Sequence, residues 1–142
     1  MHPRLDEVRE WLYKARSDLL SARILMEHDP SVLDTAAFHC QQTAEKVLKA
    51  FLVWKGVRFE KAHSLTYLLD LCEAKEAGLA PLRERAEILA PFAVEIRYPG
   101  EAMEVSREEA QETLAAAEAV WDSILSLLPS EFHPLLSEGG SE

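Results

Sequence analysis

Three polar side chains interrupt an apolar helical run. In FHCQQTAEKVLKA, residues 38–50, Gln41, Gln42 and Glu45 stand where a helix that only packs would carry Leu or Ala. At about 100° per residue, Leu33, Ala37, Cys40, Ala44, Val47, Leu48 and Phe51 line one stripe of this helix. Phe38, Gln41, Glu45 and Leu52 form an adjoining stripe. Gln41 and Glu45 therefore line a shoulder of a helix that packs on two sides or borders a half-buried site. What they face (solvent, a partner or a ligand) decides what the helix is for.

Four further residues have the right chemistry for a site. Arg97 in EIRYPGE stands at a helix end before a Pro-Gly break. There a guanidinium either holds the last helical carbonyls or grips a phosphate or carboxylate with two parallel hydrogen bonds. Tyr98 beside it is an interface ring or a half-buried ring with its hydroxyl in water. His63 in AHSL precedes a helix start, where it caps, packs in the loop, or exchanges protons. Asp18 borders the core stripe of the first helix, where an unpaired carboxylate is costly. Arg97 and Lys46 are its candidate partners.

Other chemistries lack their residues. The histidines are His2, His28, His39, His63 and His133, and no two are spaced i, i+3 or i, i+4. The paired Glu-x-x-His of a di-iron bundle is missing too, so no metal and no cofactor are expected. Cys40 and His39 adjoin in sequence but diverge by about 100° on a helix. Cys40 and Cys72 make neither a metal spacing nor a disulfide framework and read as reduced core residues. There is no Gly-x-Ser-x-Gly elbow and no glycine-rich phosphate loop.

The elements that must position these residues are helices. The 142 residues suffice for one domain, and Ala, Leu and Glu dominate while Gly is scarce. The apolar spacing predicts a first helix from about Leu5 to Glu27 and a second from about Ser31 to Lys55, with Gly56 as its C-cap. A third starts after the N-cap Ser64. A fourth starts near Leu82 with Pro81 in its first turn, bends at Pro91, and stops at EIRYPGE. A fifth opens on the capping box of Ser106 and Glu109 and runs to about Leu128. Together these predict an all-α fold, an antiparallel four-helix bundle with a fifth short helix. The domain spans residues 1–128, and 129–142 form a polar C-terminal tail in which Phe132 and Leu135 can dock. The net charge of −10 disfavours general nucleic-acid wrapping but leaves room for a small local basic site. The charged opening MHPRLDEVRE and the lack of a long apolar run predict a cytoplasmic chain with no membrane span.

Taken in order, the pieces resemble the HEPN domain family (higher eukaryotes and prokaryotes nucleotide-binding). The resemblance rests on Asp18 in the first helix, AAFHCQQTAEKVLKAFL in the second, HSLTYLL opening the third, IRYPG closing the fourth, and an Ala-rich last helix. It covers roughly residues 5–128. It implies a homodimer that partners a small nucleotidyltransferase in a toxin–antitoxin pair, with this chain as the toxin-like component, and it implies binding of a nucleotide or RNA. Gln41 and Glu45 would then border a groove or dimer interface, where they satisfy Arg97, a backbone end or a nucleotide. Many members resembling this chain are metal-independent ribonucleases with an Arg, four to six spacer residues, and a His. If Arg97 is that arginine, the histidine falls at 102–104, which hold Ala102, Met103 and Glu104. RILMEH and RFEKAH meet the spacing elsewhere, at Arg23–His28 and Arg58–His63. The alternative expectation is therefore an endoribonuclease that uses Arg97 with a recruited histidine, His63 or His39, and whose rate has a limb near about pH 6–7.

Overall fold

A computed structural model describes residues 4–61, 63–94 and 104–134. Five α-helices follow one another: α1 Leu5–His28, α2 Leu33–Trp54, α3 Leu65–Lys75, α4 Leu82–Leu89 and α5 Arg107–Leu125. Short 3₁₀ turns lie at Pro30–Val32, Ala77–Leu79, Ala90–Phe92 and Ser130–Phe132, and the described residues contain no strand. The all-α expectation holds.

The helix ends follow local chemistry. Asp29 turns the chain between α1 and α2: its Oδ1 accepts from Ser31 N at 3.0 Å and from Ser31 Oγ at 2.6 Å. The expected start of α2 at Ser31 is thus a 3₁₀ turn, and α2 proper begins at Leu33. At its far end Gly56 has φ 71°, a conformation that a side chain would oppose. Gly56 N donates to Val53 O at 3.0 Å and Val57 N to Leu52 O at 2.9 Å, which is a Schellman cap. Ser64 caps α3 by accepting from Tyr67 N at 3.2 Å. Both halves of the Ser106–Glu109 capping box form, each at 3.0 Å.

Two helices are shorter than their sequence pattern. The α4 helix stops at Leu89 and passes into the 3₁₀ turn that holds Pro91. The proline ring has no N–H to give and crowds the carbonyl four residues back, so the helix ends where a bend was expected. Downstream of Ile124, Leu127 N bonds Ile124 O at 2.9 Å and Leu128 N bonds Leu125 O at 3.1 Å, which tightens the last turn and ends α5 at Leu125.

The α2 helix is the axis of the molecule. It packs on α1 along most of its length, on α5, and on α3 and α4. Fifteen of its residues are buried, among them four polar ones: Gln41, Thr43, Glu45 and Lys49. The α1 and α5 helices run antiparallel. Arg107 near the start of α5 donates to Met26 O near the end of α1 at 3.2 Å, and Arg23 pairs with Glu118 at 2.7 Å. Beyond α5, Phe132 is buried under the guanidinium of Arg9, 4.7 Å from the ring centre, so this part of the tail docks as expected. Leu135 lies outside the described residues.

Candidate functional site

The outward side of α2 carries a polar seam. Past Asp34 every α2 side chain is at least partly covered, because α1 flanks one side and the segment leading into α3 flanks the other. Two carboxylates lie under this seam, and each holds a lysine and a histidine.

The first is Asp18, projected from α1 towards α2. Lys46 Nζ donates to its Oδ2 at 2.6 Å, and His39 Nδ1 meets its Oδ1 at 2.7 Å. Asp18 is buried, which it can be only because both oxygens have donors. Of the two partners expected for Asp18, Lys46 fills the role. Arg97 lies outside the described residues, as does Tyr98. An ionised carboxylate only accepts, so His39 Nδ1 carries the hydrogen. The His39 ring also meets Phe38 edge to face, with centroids 5.7 Å apart.

The second is Glu45, the residue expected on a shoulder of α2. It is 2% exposed and Gln41 is fully buried, so the shoulder is interior. Lys49 donates to Glu45 Oε2 at 2.9 Å, one turn along the helix. Gln41 and Gln42 donate to Oε1 at 3.3 and 3.4 Å. Gln42 also donates to Gln41 Oε1 at 2.7 Å, which turns the Gln41 amide so that its nitrogen faces Glu45. The fourth donor is His63 Nδ1, 3.2 and 3.1 Å from the two carboxylate oxygens. Gln41 Nε2 also donates to His63 O at 3.2 Å. The chain leaving α2 thus runs back along that helix and is pinned beside Glu45 before α3 starts. Lys49 Nζ lies 5.1 Å from the centre of the Trp11 ring, which closes the seam from α1.

Asp18, Gln41, Glu45 and His63 therefore gather along one side of α2. His39 also joins the seam; in the sequence it stood out as a neighbour of Cys40, and on the helix it faces Asp18 instead. Gln42 stood out in the sequence beside Gln41 without an assigned partner, and Lys49 and Trp11 were not singled out, although the Glu45–Lys49 spacing of four residues was a readable signal. The cysteines stand apart. Both are buried, and burial pushes each thiol up to about 12, so neither offers a nucleophile.

The HEPN domain family model matches residues 8–127. The chain belongs to the HEPN domain family. As a HEPN domain it is 28% identical over 138 residues to a protein of Methanocaldococcus jannaschii named "Putative toxin MJ1304", covering 86% of this chain and 88% of the relative. Two solved structures share the HEPN fold seen here. An archaeal HEPN homologue, ST0689, superposes with a TM-score of 0.67 at 25% identity, over 84% of this chain and 96% of that one. TT1696 from Thermus thermophilus superposes with a TM-score of 0.69 at 27% identity, over 85% of this chain and 98% of that one.

Proposed function

We propose that this HEPN domain is the toxin-like component of a cytoplasmic toxin–antitoxin pair. In this reading it acts as a homodimer, its partner is a small nucleotidyltransferase, and the seam of α2 takes a nucleotide. The observation that carries the reading is the seam itself. In a chain of net charge −10, Lys46, His39 and His63 converge on one partly covered strip with the rings of Phe38 and Trp11, above the buried Lys49–Glu45 pair. Cations and imidazoles suit phosphate oxygens, and flanking rings suit a base. The toxin name of the 28% identical relative points the same way. The chain, co-expressed with a small nucleotidyltransferase encoded beside it, is expected to be retained with that protein on affinity resin and to bind ATP in calorimetry. If neither occurs, the proposal fails.

The second reading, a metal-independent endoribonuclease, is favoured by His63. Its side chain is 74% exposed while its Nδ1 is held by a buried carboxylate. This leaves Nε2 as a base at the surface, with Arg97 as the phosphate-binding residue. Mixed single-stranded RNAs incubated with the protein in EDTA test it. Cleavage by the wild type that is lost in Arg97→Ala and His63→Gln supports the reading; an inert wild type rejects it.

A further inference from the structure

We propose that Glu45 is a positioning residue for His63. Its carboxylate fixes the imidazole in the tautomer with hydrogen on Nδ1 and the lone pair on Nε2. The inference rests on the ribonuclease reading and says how the histidine works within it.

The argument starts from what each carboxylate needs. Glu45 already has Lys49, Gln41 and Gln42 as donors, so its burial is satisfied without His63. An imidazole that is 74% exposed gains little stability from one more surface-facing hydrogen bond. Asp18 is the internal contrast. Lys46 and His39 donate to it, and the His39 side chain is only 24% exposed, so there the carboxylate needs the histidine. At Glu45 the dependence runs the other way: the histidine is the group being placed.

The placement is firm at both ends. Gln41 holds the His63 backbone carbonyl, and Glu45, one turn along the same helix, holds the ring. The following residue, Ser64, is tied into the start of α3. Among the described residues Nε2 has no hydrogen-bond partner. On an RNA strand Nε2 takes the proton of a 2′-hydroxyl while that oxygen forms its bond to phosphorus. The bond from phosphorus to the 5′ oxygen breaks, and that oxygen leaves with a proton from water. The products are a 2′,3′-cyclic phosphate and a 5′-hydroxyl. The Glu45 carboxylate accepts from Nδ1 throughout and stabilises the imidazolium that forms.

The test is ¹⁵N NMR of the His63 ring at a pH where it is neutral, beside RNA cleavage, in the wild type, Glu45→Gln and Glu45→Gln/Lys49→Met. The double variant removes the buried amine that Glu45→Gln leaves without its anion, and helical circular dichroism checks the fold. The expected wild-type spectrum shows Nδ1 protonated and Nε2 bare. In a folded Glu45 variant the ring shifts towards the Nε2–H form, and cleavage falls roughly 10-fold or more, against about 10²–10⁴-fold for His63→Gln. An Nε2–H ring in the wild type, or an unchanged tautomer in a folded variant, overturns the proposal. A wild type with the expected tautomer that cleaves no RNA overturns the ribonuclease reading and the base role with it, while the anchoring by Glu45 stands.

Discussion

Single residues in the seam answer to burial. Lys46 neutralises Asp18 inside the α1–α2 contact, with N···O 2.6 Å. Lys46→Met keeps the stem but leaves the buried carboxylate with His39 alone. The expected loss is about 1–3 kcal/mol, read as a lower urea midpoint with an unchanged slope. Asp18→Asn should be milder, since the amide oxygen still accepts from Lys46 and His39 can take the tautomer whose bare Nδ1 accepts from the amide N–H. The cysteines give a second test at this scale. Each folded thiol is raised by burial from 9.0 to about 12, with Thr113 partly opposing the rise at Cys40. A folded value above the unfolded one means that the unfolded thiols ionise first as pH rises. Stability from this source is intact below about pH 9 and declines as pH climbs from there towards 12. At pH 8.5 iodoacetamide should leave the native thiols untouched and alkylate both in guanidinium; labelling of the native chain would contradict their burial.

At the scale of an element, the caps set where helices begin and therefore where residues meet. Ser106→Ala removes one half of a reciprocal capping box at the start of α5. It should cost about 1 kcal/mol and lower Tm by about 4 °C. Ser64→Ala costs a similar amount of stability, but the residue lies next to His63. Loosening the start of α3 should broaden the His63 ring signals in NMR while leaving α5 unchanged. The α4 helix shows the opposite device, a stop. Pro91, in the 3₁₀ turn Ala90–Phe92 that packs on α2, ends it at Leu89. These local signals were readable in the residues themselves, because a cap or a proline acts through its own backbone neighbours.

At the scale of the molecule, α2 is enclosed. Ala36, Ala37, Ala44 and Ala50 have no exposed surface and let neighbouring helices approach closely. Ala44→Leu should therefore overpack the core and cost about 1–3 kcal/mol, while Phe51→Ala empties a fully buried site and should cost about 3–5 kcal/mol. Both are read by thermal unfolding. No helix among the described residues is long and apolar enough to cross a membrane. The proposed homodimer should sediment as two chains, and a single-chain sedimentation coefficient at micromolar concentration would remove that part of the reading.

The sequence by itself determined the helical class, the order of the helices, the caps at Ser64, Gly56 and Ser106, and the burial of both cysteines. These follow from apolar spacing and from bonds between near neighbours. It also marked Asp18, Gln41 and Glu45 as residues with something to hold, because a carboxylate or amide in apolar company requires a partner, and His63 only as a residue ahead of a helix start. It could not say how deeply Gln41 and Glu45 lie. A helical wheel places them on a shoulder, and only the packing of α1 and the returning chain before α3 makes that shoulder interior. The partners were a tertiary matter for the same reason. His39 on α2 turns to Asp18 on α1, twenty-one residues away in sequence, and His63 turns to Glu45, eighteen away. Such pairings come from helix crossing and chain reversal, which bring distant residues within hydrogen-bond reach and leave no periodic trace in the chain.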